Sequence, residues 1–106
     1  MIYFIGAGPG AADLITVKGK ELLEKADLVI YAGSLVNPEL LKYCKPECTI
    51  MNSATMTLEE VIAAMVPAAQ AGQLVVRLHT GDPSVYGAHR EQIDLLRSYN
   101  LDYEVV

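Results

Sequence analysis

Apolar residues fall in short runs separated by longer segments in which they recur every three or four positions. Ile2 to Ile5 is the first run and predicts a strand that ends in a glycine loop, Gly6-Ala7-Gly8-Pro9-Gly10. Thr16 is placed to cap a helix in which Leu22, Leu23 and Ala26 share one face. Lys18, Lys20, Glu21, Glu24 and Lys25 are left for water. Leu28 to Tyr31 predicts a second strand, and Ala32-Gly33-Ser34 turns out of it. Asn37-Pro38 is a helix start, since asparagine caps and proline lacks a donor that the first turn would not use. Pro46 keeps that helix short, and Thr49 to Asn52 predicts a third strand.

Thr57-Leu58-Glu59-Glu60 has the spacing of a capping box. It opens a helix to about Ala71, with Leu58, Val61, Ile62, Met65 and Ala69 on one face and Gly72 beyond its end. Pro67 interrupts this pattern and predicts a kink or an early end. Leu74 to Leu78 is the strongest strand signal. A helix from about Tyr86 or Ala88 follows, with Ile93, Leu96 and Tyr99 inward and Asn100 as its stop, and Tyr103 to Val106 predicts a fifth strand.

Alternating strands and helices call for an α/β domain in three layers, a five-stranded, mostly parallel sheet with helices on both faces. In such sheets ligands bind beyond the carboxyl ends of the strands. Two loops stand there. One is the glycine loop. The other is His79-Thr80-Gly81-Asp82-Pro83-Ser84-Val85-Tyr86-Gly87, where Gly81 permits a close backbone approach and Thr80, Asp82 and Ser84 supply oxygens. The glycine loop reads G-x-G-x-G with a proline inside, not the G-x-G-x-x-G of dinucleotide sites, and no acid ends the second strand. Gly19-Lys20 lacks the glycine that a phosphate-binding loop requires. Gly6, Gly8 and Gly10 also suit a tight turn without a ligand, and Asp82 also suits a loop aspartate bonded to its own backbone.

Composition narrows the class of protein. With 106 residues, 52% of them hydrophobic, the chain supports one core but is small for a complete two-substrate enzyme. No apolar run approaches the length of a membrane span and no secretory leader is visible, so a cytoplasmic protein is expected. A formal charge of -5 without a basic stripe argues against nucleic acid. Cys44 and Cys48 have no further ligands near them, so reduced thiols and no metal site are expected.

Ile5-Gly-Ala-Gly-Pro-Gly10, Leu14-Ile-Thr16, Ala26-Asp-Leu-Val-Ile-Tyr31 and Gly81-Asp-Pro-Ser-Val-Tyr-Gly87 together resemble the amino-terminal domain of the tetrapyrrole methylases. These enzymes methylate porphyrinoid and corrin rings from S-adenosylmethionine. The resemblance covers the whole chain. Tyr31 to Leu41, Ser53 to Glu60 and Arg77 to Pro83 are similar to the branch that acts at ring carbon 11 of precorrin-4 or cobalt-precorrin-4 in cobalamin synthesis. A sister corrin or uroporphyrinogen methylase, or a non-catalytic tetrapyrrole- or nucleotide-binding module, is the alternative.

The resemblance implies that residues 1–106 are the first of two domains, the donor lying in the cleft between them, with the second domain absent here and this part inactive alone. It places Pro9, Thr80, Gly81, Asp82 and Val85 on the donor, S-adenosylmethionine. Gly6, Gly8, Gly10, His79 and Tyr86 fall on the tetrapyrrole side; no catalytic residue is assigned. A homodimer is expected of the full-length protein. Arg77, His79, His89 and Arg90 are candidates for attracting substrate carboxylates. The structural alternative for Arg77 is a strand arginine paired with a neighbouring acid, and for His89 and Arg90 a solvated helix face. Tyr31 and Tyr86 read as partly buried packing residues, and Met51, Met56 and Met65 as gap-fillers.

Overall fold

The computed structural model describes residues 1–7, 17–31, 38–80 and 93–105. In chain order the elements are β1 (Ile2–Ala7), α1 (Val17–Lys25), β2 (Leu28–Tyr31), a 3-10 segment (Pro38–Tyr43), β3 (Thr49–Asn52), a 3-10 turn (Ser53–Thr55), α2 (Leu58–Gln70), β4 (Val75–Thr80), a helix α3 described over 93–98, and β5 (Tyr103–Val105). The five strands form one sheet in the order β3-β2-β4-β1-β5, and every described pair is parallel.

Alternation along each strand sends residues to two cores. Ile2, Phe4, Leu28, Ile30 and Val75 pack with Val61, Ile62, Met65 and Val66 of α2 and Leu96 of α3. Ile5, Val29, Val76 and Leu78 pack on the other face with Leu23 of α1, Ala26 and Leu40 of the first 3-10 segment. The sheet is therefore the middle of three layers. Nearly all these side chains are fully enclosed, and each such burial is worth about 1.5–3 kcal/mol. At the β5 edge, the Phe4 and Tyr103 rings meet edge to face, with centroids 6.1 Å apart.

Local signals set the helix ends. Thr57 Oγ1 accepts from the Glu60 N–H and Glu60 Oε1 accepts from the Thr57 N–H, both at 3.2 Å, so the capping box is complete. At the other end Gly72, at φ +81, closes α2: its N–H reaches the Ala69 carbonyl and the Gln73 N–H that of Ala68. Asn100, at φ 58, closes α3 with the same pair of bonds, to Arg97 and from Leu101 to Leu96.

Three expectations change. β1 extends two residues beyond Ile5, to Ala7, because β4 pairs with it to Thr80. The segment after Pro38 is 3-10 rather than an α-helix: six residues anchored by one fully buried side chain, Leu40, are too few to build α-helical turns before Pro46. At Pro67, where a kink or an early end was expected, the early end does not occur, since three residues follow it in the helix. The proline stands on the exposed face, as does Ala63, whose carbonyl would have bonded to an N–H at 67, so the lost bond falls on the solvent side of the helix. Tyr99 does not point inward but is 50% exposed: the helix stops at 98, and Tyr99 stands in the turn that follows it. The caps expected at Thr16 and Asn37 lie outside the described residues.

Candidate active site

β1 and β4 are neighbours in full register, from Ile2 beside Val75 to Gly6 beside His79 and Ala7 beside Thr80. The two strands therefore end together at the carboxyl rim. From there the chain goes opposite ways: after β1 it passes to α1 on one face, and after β4 to α3 on the other. Adjacent strands whose connections diverge to opposite faces leave a crevice between them, the place where open α/β sheets bind ligands.

Of the residues singled out from sequence, Gly6, His79 and Thr80 are thus brought to this crevice by the backbone register. Gly8, Pro9, Gly10, Gly81, Asp82, Val85, Tyr86, His89 and Arg90 lie outside the described residues. Pro9 and Asp82 each follow two residues after the register-paired Ala7 and Thr80.

Arg77 lies three residues below the end of β4, on the α2 face. It is 5% exposed. Its guanidinium donates to the Ile30 carbonyl at 3.2 Å and to Ser53 Oγ at 3.0 Å, and Ser53 Oγ in turn donates to the Tyr31 carbonyl at 3.1 Å. These two partners are a carbonyl and a hydroxyl. Burial pulls the guanidinium pKa down to about 10, which leaves it charged at neutral pH. The network ties together the carboxyl ends of β2, β4 and the turn after β3. Ser53 is the member that sequence reasoning missed, because its partners stand 22 and 24 residues away.

The opposite rim is tied by Asp27. Its backbone N–H donates to the Leu74 carbonyl at 2.8 Å, one carboxylate oxygen accepts from the Leu74 N–H at 2.9 Å, and the other accepts from Lys45 Nζ at 2.8 Å. The Asp27 carbonyl accepts from Thr49. The Lys45 bond, then the Leu74 N–H, hold this carboxyl below its usual range, and the same bond raises Lys45. A cavity of about 600 Å³ opens here among Asp27, Glu47, Thr49, Met51, Pro67 and Gln73. It lies at the amino ends of the strands, away from the crevice, and its best placed carboxylate already has its partners.

Cys44 and Cys48 are free thiols, both half-buried. Burial, followed by the neighbouring Cys48, pushes the Cys44 thiol up to about 11, far from the thiolate that nucleophilic or metal-binding chemistry needs. Among the described residues no group of three metal-ligating side chains occurs, and no helix is long and apolar enough to cross a membrane. Tyr31, Met51 and Met56 are partly buried against the cores and Met65 is fully buried, as packing residues should be.

Comparison with known proteins adds the family. A cobalt-precorrin-4 C(11)-methyltransferase of Methanocaldococcus jannaschii is 57% identical over 105 residues, which is 99% of this chain and 40% of that protein. The solved structure of a cobalt precorrin-4 methyltransferase, a cobalamin biosynthetic enzyme, superimposes with a TM-score of 0.92 at 50% identity, covering 99% of this chain and 44% of the other. A uroporphyrin-III C-methyl transferase from Thermus thermophilus, solved with S-adenosyl homocysteine, gives a TM-score of 0.78 at 33% identity, covering 99% of this chain and 43% of that one. The chain thus spans about two fifths of the length of the relatives it matches. Residues 1–106 match one family along their whole length, and the chain belongs to the tetrapyrrole (corrin/porphyrin) methylases.

Proposed function

We propose that this chain is the amino-terminal, donor-binding part of a cytoplasmic two-domain methyltransferase that transfers a methyl group from S-adenosylmethionine to ring carbon 11 of precorrin-4 or cobalt-precorrin-4 in cobalamin synthesis. The observation that carries the reading is the β1–β4 register, in which the strands that lead into the two sequence-marked loops end side by side at one rim. The 57% identity to the Methanocaldococcus jannaschii protein supports the choice of acceptor.

The donor supplies an electrophilic methyl on a sulfonium. Attack by an electron-rich ring carbon forms a carbon–carbon bond as the carbon–sulfur bond breaks, and the sulfur leaves neutral. Such a displacement asks for alignment more than for acid or base, so loops of backbone, glycine and small polar groups suit it. On this reading Pro9, Thr80, Gly81, Asp82 and Val85 hold the donor. Gly6, Gly8, Gly10, His79 and Tyr86 face the macrocycle. The full-length protein is a homodimer on the same reading, which light scattering tests.

Incubation of the full-length protein carrying this chain with donor and precorrin-4 is expected to give a gain of one methyl in mass. Methyl gain on uroporphyrinogen III instead would point to a sister ring methylase, and donor binding without any mass gain to a binding module. Asp82→Ala should weaken donor binding measured by calorimetry; unchanged binding removes Asp82 from the donor site.

A further inference from the structure

A buried cation commonly marks a place where the fold holds something in position. Arg77 reaches sideways under the rim, from β4 past β2 to the turn that follows β3, and its bonds pass through Ser53 to the end of β2. The turn itself, Ser53–Thr55, is tightened by Asn52, whose side chain accepts from the Ala54 N–H at 2.9 Å. Ala54 and Thr55 are exposed beside it. The turn is thus a fixed, solvent-facing ledge at the same rim as the β1–β4 crevice.

Its distance from the crevice decides which ligand it serves. Parallel strands lie roughly 4.8 Å apart, so β3 is about 10 Å from β4 and about 14 Å from β1. A methyl donor seated over β1 and β4 stays away from the ledge. A tetrapyrrole, four linked pyrroles fringed with carboxylates, is wide enough to reach across β2 to it. We propose that the Ser53–Thr55 turn is the outer wall of the tetrapyrrole subsite and that Arg77, acting through Ser53, is its positioning residue. The inference rests on the proposed methyltransferase reading and adds to it a segment that neither loop contains.

The test uses the full-length protein carrying this chain, with Ser53→Ala, Ser53→Thr and Arg77→Lys. Steady-state rates with precorrin-4 and calorimetric binding of S-adenosylhomocysteine are measured for each. Ser53→Ala removes the hydroxyl through which Arg77 and the end of β2 hold the turn, and it should raise KM for precorrin-4 about tenfold, the loss of one charge-assisted bond. Its kcat and its S-adenosylhomocysteine affinity should stay within about twofold. Ser53→Thr, which keeps the hydroxyl, should return KM to within about twofold of the parent. Arg77→Lys should behave as Ser53→Ala, and if it does not fold the serine pair decides. An unchanged KM in Ser53→Ala, an equal loss of S-adenosylhomocysteine affinity, or failure of Ser53→Thr to restore KM overturns the proposal. A parent protein that methylates no tetrapyrrole overturns the methyltransferase reading itself, and an active parent with an indifferent Ser53→Ala overturns the positioning role alone.

Discussion

The two rims of the sheet are tied by opposite chemistry. Where strands begin, the carboxylate of Asp27 accepts from the Leu74 N–H and from Lys45. Where they end, the guanidinium of Arg77 and the hydroxyl of Ser53 donate to the carbonyls of Ile30 and Tyr31. The amino rim fastens β2, β3 and β4 with a half-exposed pair, while the carboxyl rim uses a charge removed from water. An exposed pair contributes little and is screened, whereas a buried cation is costly to leave without its partners. The carboxyl rim therefore carries the larger penalty for change, and it is the rim at which the crevice opens.

That contrast fails if the two rims respond alike to substitution. Arg77→Leu strips donors from a buried carbonyl and a hydroxyl and should cost about 2–4 kcal/mol in urea denaturation with an unchanged slope. Asp27→Ala should lower the urea midpoint by clearly less and leave S-adenosylhomocysteine affinity untouched, since its bonds lie at the far rim. A larger loss from Asp27→Ala than from Arg77→Leu reverses the ranking.

The acid limb of stability sharpens the comparison. Asp27 is held below its ordinary pKa of about 3.9, so its contribution is fully present above that value and is lost as pH falls through the lower folded value. Lys45 is raised, so its part is present below its ordinary range near 10.4 and is lost as pH rises through the higher folded value. The parent should lose midpoint stability below about pH 4 more steeply than Asp27→Asn. Parallel acid limbs in urea titrations at stepped pH would show that the amino-rim pair does not act. The smallest effect is expected at Thr57→Ala, about 1 kcal/mol, because it removes half of a capping box on the surface.

Features made within a few residues were legible in the sequence. The capping box of Thr57 and Glu60 and the stops at Gly72 and Asn100 each join residues close in the chain, and each is present as read. The strands and their parallel pairing were legible from the apolar runs and the alternation with helices, while the order β3-β2-β4-β1-β5 came from the structure. Tyr99 was misread because periodicity extends a helix past the residue where a left-handed turn ends it. At Pro67 the sequence left a kink or an early end open, and the helix runs three residues past it. The Arg77 network joins residues 24 and 47 apart, and only packing brings them together. Of the candidate site, the placement of Gly6, His79 and Thr80 at one rim was legible from the strand-then-loop pattern.

The central claim is that the crevice between the ends of β1 and β4 binds the sulfonium donor. Hydrogen–deuterium exchange of the full-length protein with and without S-adenosylhomocysteine tests it most directly. The account predicts slowed exchange in peptides spanning Gly6 to Gly10 and Thr80 to Val85 together, with those holding Asp27, Glu47 and Gln73 unchanged. Protection centred on the amino-rim cavity, or on only one of the two loops, would contradict it.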